Sequence, residues 1–244
     1  MRYGLFSDVH SNLESFQEVL ACIDKEKPNQ YVFLGDIVGY NANPNECIQL
    51  LKDLVERTGC TCIAGNHDYA VLDYTDTKNF NSYAKHAVEW TKRQLKSSDI
   101  QFLTQMKLTH RIGNFTIVHS TLVAPEAWGY VFDMNDAYPN FKILQDQICF
   151  IGHSHMPGFF STGDKIGSSS EAKIIVQKDV KYIVNVGSVG QPRDGDPKAS
   201  CAIYDTDTST IKIKRVSYNI KKTQERIIQV GLPDILAERL GIGR

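Results

Sequence analysis

Five short clusters of residues able to hold metal ions or move protons lie in the first two-thirds of the chain. They are Asp8-Val9-His10, Gly35-Asp36, Gly65-Asn66-His67-Asp68, Val118-His119-Ser120 and Gly152-His153-Ser154-His155. Five of the seven histidines fall in them. In Asp8-x-His10 the spacing puts both side chains on one side of an extended backbone. Carboxylate and imidazole together suit Mn²⁺, Fe or Zn²⁺ rather than Ca²⁺. Asp36 has two oxygens and could bridge two ions. Asn66 offers a neutral carbonyl oxygen, and His119, His153 and His155 offer imidazole nitrogens. Together with Asp8 and His10 these make three oxygen donors and four imidazoles, more than one ion can use. Two ions sharing Asp36 can use them and keep positions open for water and substrate. Ions about 3.5–4 Å apart form a clamp for in-line displacement at phosphorus. Each cluster alone has a plainer reading, since Gly-Asp is a common turn pair and a lone His119 is more simply a satisfied core residue. All five occurring in order, each directly after an apolar strand, carries the argument.

The elements that must position these residues are legible. Residues 2–7 form a short strand. A helix over 12–25 follows, with Leu13, Phe16, Leu20 and Ile23 at spacings of three and four and Ser11 or Asn12 placed to cap it. Tyr31-Val32-Phe33-Leu34 is the next strand. Asn43-Pro44 starts a second helix with Cys47, Leu50, Leu51 and Leu54 on one face, stopping at Gly59. Residues 60–64 make a third strand, so the strand–helix rhythm implies parallel pairing with right-handed crossovers. Ligands commonly bind at the carboxyl ends of such strands. Residues 69–107 read as an inserted helical layer, with Tyr83, Ala84, Ala87, Val88, Thr91 and Leu95 along one side. Strands then dominate: 108–112 and 115–120 around the hairpin pair Gly113-Asn114, then 148–151, 173–177, 182–186, 200–204 and 210–217. Residues 121–146 are expected to be loops overhanging the site, with a turn at Tyr138-Pro139 and acidic Asp133 and Asp136. Residues 161–171 are expected to be a loop, and 220–240 a helix broken at Gly231-Leu232-Pro233.

The composition narrows the function classes. A chain of 244 residues with 42% hydrophobic content can bury a sizeable core, and it reads as a single α/β domain over 1–244. A formal net charge of −1 argues against general nucleic-acid binding. No apolar run reaches the length of a membrane span, and the N-terminus is too poor in apolar residues for a signal peptide. The six cysteines sit mostly in apolar stretches, which suits reduced core thiols of a cytoplasmic protein. Cys60-Thr61-Cys62 lacks a second thiol pair and reads as strand rather than metal site.

The ordered set Asp-x-His, Gly-Asp, Gly-Asn-His-Asp, His, Gly-His-x-His resembles the calcineurin-like metallophosphoesterase superfamily, with no motif position departing from the pattern. The stretch Asn185-Val186-Gly187-Ser188-Val189-Gly190-Gln191-Pro192-Arg193 and the ending around Gly231-Leu232-Pro233, Leu236, Ala237 and Leu240 are similar to its small bacterial and archaeal branch, often labelled diadenosine tetraphosphatase-like. The resemblance implies a four-layer α/β/β/α sandwich of two mixed sheets. It implies one divalent transition-metal ion held by Asp8, His10, Asp36 and His155, and a second held by Asp36, Asn66, His119 and His153. Mn²⁺ is the first choice, with Fe, Zn²⁺ or Ni²⁺ also accepted by such ligands. A water bridging the ions would be the nucleophile, His67 the general acid facing the substrate, and Asp68 the partner that fixes its tautomer or orientation. Asn66 would also touch substrate.

Arg193 could clasp a phosphate oxygen or pair with Asp194 or Asp196. Trp90, Trp128, Tyr130 and Phe132 could stack a nucleobase or simply be core; Lys92-Arg93 and Lys221-Lys222 read as solvated faces. The expected activity is hydrolysis of a small phosphodiester, phosphoanhydride (of the dinucleoside polyphosphate kind) or phosphomonoester, the small phosphate ester or nucleotide being the partner. The alternatives are a non-catalytic interaction scaffold of the retromer type on the same fold, which would lose ligands, and a metal-dependent nuclease, which would need a basic groove.

Overall fold

A computed structural model of the chain describes residues 1–78, 80–163, 166–167 and 173–244. The chain runs β1 (Arg2–Phe6), α1 (Leu13–Lys25), β2 (Gln30–Phe33), α2 (Pro44–Thr58), β3 (Thr61–Cys62), then helices α3 (Asn66–Val71), α4 (Ser82–Gln94) and α5 (Ser97–Thr104). The hairpin β4 (Thr109–Ile112) and β5 (Phe115–Val118) leads to α6 (Met134–Ile143), β6 (Ile148–Ile151), β7 (Gly158–Ser161), β8 (Ile166–Gly167), β9 (Lys173–Ile175) and β10 (Tyr182–Asn185). Strands β11 (Ala199–Asp205) and β12 (Thr210–Val216) precede α7 (Ile220–Gln229) and α8 (Asp234–Glu238).

Two six-stranded mixed sheets result, ordered β3-β2-β1-β11-β12-β9 and β4-β5-β6-β10-β7-β8. In the first, β1, β2 and β3 run parallel, with Leu5 opposite Val32 and Phe33 opposite Cys62. In the second, β5, β6 and β10 run parallel, with Phe150 opposite Ile117 and Val184.

Alternation within β1 shows how the layers form. Leu5 points between the sheets to join Val32, Phe115, Phe150 and Val184, while Phe6 points outward to Phe16, Val19 and Ile23 of α1. On the far side, Ala137 and Phe141 of α6 cover Cys149, Ile151 and Ile183. Helices, sheet, sheet and helix therefore stack as four layers, each sheet burying both faces. Asn12 caps α1 by accepting the Ser15 N–H. Gly59, at φ +67°, ends α2 in the left-handed conformation that glycine tolerates best.

Local expectations change at four places. The 121–146 stretch contains α6, which runs through the expected turn at Tyr138-Pro139. Asp133 caps it, accepting from Asn135 and Asp136, and Asp136 completes a capping box. Pro139 removes one helical donor, but burial of Ala137 and Phe141 outweighs that loss. Strand β7 was not expected, because Gly158-Phe159-Phe160-Ser161 shows no alternation; both of its edges pair, to β10 and β8. The expected loop over 161–171 is part strand instead, since Ser161 ends β7 and Ile166–Gly167 form β8 by pairing antiparallel with the β7 edge; residues 164–165 and 168–171 lie outside the described residues. The helical layer begins at Asn66, inside the third cluster, earlier than residue 69.

Candidate metal centre

The parallel strands of both sheets end at one edge, and all seven candidate ligands arrive there. Each lies in the turn just after its strand or, for Asn66, at the first position of α3. All seven are at most 6% exposed. Asp8, His10, Asp36, His153 and His155 have φ between +49° and +66°. That left-handed backbone costs a non-glycine residue on the order of 1–3 kcal/mol, so the surroundings must impose it. They do so by knitting the loops together. Asp8 N–H donates to Gly35 O (2.9 Å), His10 N–H to Asp36 O (3.0 Å), Gly152 N–H to His119 O (2.9 Å) and Gly190 N–H to Asp8 O (2.8 Å). Two glycines allow close approach to the candidate carboxylates. A Cβ on Gly65 would lie 2.1 Å from Asp36 Oδ1, and one on Gly152 would lie 2.5 Å from Asp8 Oδ2.

Hydrogen bonds orient each imidazole. His10 Nδ1 lies 3.0 Å from Val38 O, His155 Nδ1 2.5 Å from Gln191 O, and His119 Nδ1 2.8 Å from Leu34 O. A carbonyl only accepts, so these Nδ1 atoms carry the protons and the Nε2 atoms of neutral rings carry lone pairs. His153 is turned the other way: its Nε2 donates to Trp128 O at 3.0 Å, leaving Nδ1 free. The Nε2 atoms of His10 and His155 face each other at 3.0 Å, with Asp8 Oδ1 3.2 Å from His155 Nε2 and 3.7 Å from His10 Nε2. Lone pairs and a carboxylate converging on one point repel unless a cation lies between them. A second convergence holds Asp36, His119 and His153, with one ligand atom of each within 4.8 Å of the others. Asp36 Oδ2 serves both, at 3.6 Å from His10 Nε2 and 3.3 Å from His119 Nε2. Its other oxygen accepts the His67 N–H at 2.8 Å. Buried Asn66 Oδ1 has no hydrogen-bond partner, the state of a donor atom awaiting an ion. The residues fit divalent metal.

Charge follows this geometry. Burial opposes ionisation of Asp8 and Asp36, yet the surrounding histidines hold both carboxyls well below their ordinary range. Burial also opposes a proton on His119, but Asp36 and Asp8 raise it to about 9; in the metal-free centre that proton stands where a cation would. Burial, helped by positive neighbours, lowers His153 to about 4 and His155 to about 3, so both are neutral ligands. His67 is lowered by burial and by His10 and Arg193, against the pull of Asp36.

No hydrogen bond joins the Asp68 and His67 side chains. The Asp68 carboxylate accepts N–H groups from Asp36 (2.8 Å), Ile37 (3.0 Å) and Gly65 (3.0 Å), while His67 Nδ1 is buried without a partner. Asp68 thus fixes the Asp36 turn. Arg193 pairs with neither Asp194 nor Asp196, which face Arg215 instead. Its guanidinium is held by Gln191 Oε1 (2.9 Å) over the Tyr40 ring at 5.4 Å.

Aromatic residues complete the surroundings. Tyr40 packs on His67 and His10 at 4.5 and 4.7 Å between centroids, and Tyr130 stacks on His153 at 4.1 Å and 19°. Trp90, by contrast, packs with the C-terminal helices. Tyr40 and Phe80, 5.0 Å from His67, were missed because nothing in their local sequence separates a site-lining ring from a core one.

The sequence model of the calcineurin-like phosphoesterase superfamily domain matches residues 1–209. The chain belongs to this superfamily. It is therefore a metallophosphoesterase, an enzyme of a metal-dependent class acting on phosphate esters. An uncharacterised protein of Methanocaldococcus jannaschii is 42% identical over 246 residues, covering 99% of this chain and 98% of its own. The crystal structure of a metallophosphoesterase from Sphaerobacter thermophilus matches with a TM-score of 0.89 at 34% identity, covering 100% of this chain and 99% of that one. A hypothetical protein of Pyrococcus horikoshii shares the fold, with a TM-score of 0.84 at 18% identity over 100% of this chain and 98% of its own. Among the described residues of this phosphoesterase, no helix is long and apolar enough to cross a membrane.

Proposed function

We propose that the chain is a dinuclear-metal hydrolase of small phosphodiesters, phosphoanhydrides or phosphomonoesters, working as one unit of 244 residues. The observation that carries this reading is the pair of lone-pair convergences sharing Asp36 Oδ2. Asp8, His10, Asp36 and His155 would hold one ion; Asp36, Asn66, His119 and His153 the other. Mixed carboxylate–imidazole donors favour Mn²⁺, with Fe, Zn²⁺ and Ni²⁺ as competitors. When bound, the ions supply charge that polarises phosphoryl oxygens and lowers the pKa of water.

The chain's own residues do the rest. Asn66 and His67 line a cleft of about 370 Å³ that receives the ester. His67 faces the leaving oxygen as general acid. It is neutral in the resting centre, and the negative charge of a bound phosphate restores its proton. Arg193, preorganised by Gln191, binds a non-reacting phosphate oxygen. Six free thiols suit a reducing cytoplasm.

The test is hydrolysis of a chromogenic bis-aryl phosphate by metal-stripped protein with and without Mn²⁺, alongside metal analysis. Turnover that returns with about two ions per chain supports the reading. Full turnover without metal overturns it.

A further inference from the structure

The cleft beside the metal centre has a composition that the chemistry at phosphorus does not require. Its walls include the rings of Tyr40, Phe80, Trp128 and Tyr130. They are held in place: Trp128 Nε1 donates to Thr75 Oγ1 at 3.0 Å, joining the loop after β5 to the helical layer, and Tyr130 is pinned on His153. At about 370 Å³ the space matches sites for small organic groups. No lysine or arginine lines it, whereas Asp76 and Glu126 do. Asp76 is paired to Lys78 at 2.9 Å, but Glu126 has no ion-pair partner among the described residues. Unpartnered, buried Asn66 Oδ1 and His67 Nδ1 belong to the same lining.

We infer that this cleft is the leaving-group site, that it takes an uncharged ring-bearing group, and that Glu126, helped by Asp76, turns away a second phosphate. The inference rests on the phosphoesterase reading of the centre. Ring faces stack a planar group, and Asp76, Glu126, Thr75 and Asn81 accept hydrogen bonds from amino or hydroxyl donors on it. A further phosphate in the cleft would meet the unpaired Glu126 carboxylate, and an Asp76 already paired to Lys78, with no lysine or arginine in the lining itself. The substrate class is then a nucleoside, or another donor-bearing aromatic group, esterified to a single phosphorus, rather than a dinucleoside polyphosphate.

Full-length Mn²⁺-loaded protein would be assayed on adenylyl-adenosine, whose leaving group is an uncharged nucleoside, on diadenosine tetraphosphate, whose leaving group carries phosphates, and on phenyl phosphate. The readout is the kcat/KM ratio of tetraphosphate to dinucleotide, in which the intrinsic reactivity of each substrate cancels between variants. Glu126→Gln should raise this ratio about threefold to tenfold and Glu126→Lys further, and both gains should shrink in high salt. Phe80→Ala should raise KM for the dinucleotide about tenfold through lost stacking. A Phe80→Ala change that raises KM for phenyl phosphate but not for the dinucleotide would overturn the donor-bearing ring in favour of a plain aryl group. Ratios unmoved by both Glu126 variants, with hydrolysis intact, would overturn the inference alone. No hydrolysis of any of the three, with the bis-aryl phosphate still cleaved, would overturn the inference alone; no metal-dependent hydrolysis of the bis-aryl phosphate either would overturn the dinuclear-hydrolase reading with it.

Discussion

At Asp36 one carboxylate oxygen faces ligand atoms of both candidate sets while the other is tied to the His67 amide. Asp36→Asn removes the charge that the two proposed ions would share and should be the most damaging single change among the candidate ligands. Metal analysis should give well below two ions per chain, with turnover lost; two retained ions with normal turnover would reject the sharing. His67→Gln probes a different function. General-acid help is worth about 10²–10⁴-fold when the leaving oxygen is a basic alkoxide, and far less for a nitrophenolate. The variant should therefore lose much more activity on a nucleoside diester than on a nitrophenyl ester, at unchanged metal content. Equal losses on both would leave His67 an electrostatic role only.

Elements act on the centre through the turns they end in. The turn at Gly65 follows β3 and lies against Asp36, and the missing Cβ leaves room for Oδ1. Gly65→Ala should displace that carboxylate and weaken metal binding at least tenfold by titration, while circular dichroism shows the fold retained. Wild-type affinity would mean the turn can relax. Between the sheets, Phe150 is fully buried, with Phe115 at 5.3 Å and Tyr204 at 5.7 Å. Phe150→Ala should cost about 3–5 kcal/mol, read as a lower urea midpoint. Activity well below that midpoint should persist, because the cavity lies under the strands rather than at their ends.

For the whole molecule, the buried histidines set how stability varies with pH when metal is absent. His119 is raised to about 9, so its contribution is complete below its unfolded value of about 6.5 and disappears as pH climbs through 9. His67, His153 and His155 are lowered, the last two to about 4 and 3. The unfolded chain thus takes up their protons first, and stability falls as pH drops from about 6.5. Asp68, raised to about 7 by burial and by Asp36, offsets one of these three. The metal-free Tm should therefore peak near pH 6.5–7 and decline on both sides. Mn²⁺ should raise Tm by mass action and abolish the alkaline limb, because neutral His119 then has a cation to bind. Its affinity should fall in acid as protons compete for the imidazoles. A flat metal-free Tm from pH 5 to 9 would contradict the buried-histidine account.

Residue type and order alone determined which side chains could be ligands. Asp8-x-His10, Asp36, Asn66, His119 and His153-x-His155 each follow an apolar strand, and in a parallel α/β arrangement the ends of such strands share an edge. The capped helices, the Gly113-Asn114 hairpin and the Gly59 stop were legible for the same reason: their signals are local and periodic. Contacts between residues far apart in sequence were decided only by tertiary structure. Asp68 was read toward its neighbour His67, but the folded chain brings the amides of residues 36–38 to it first. Pro139 was read as a turn, yet burial of Ala137 and Phe141 on the second sheet holds α6 through it. Tyr40, Phe80 and Glu126 carried no signal, because what distinguishes a cleft wall from core or surface is which loops meet there. Seven candidate ligands on one strand edge follow from a repeating local pattern, whereas the shape and charge of the adjoining cleft follow from packing between the helical layer and the loop after β5, which no local pattern encodes.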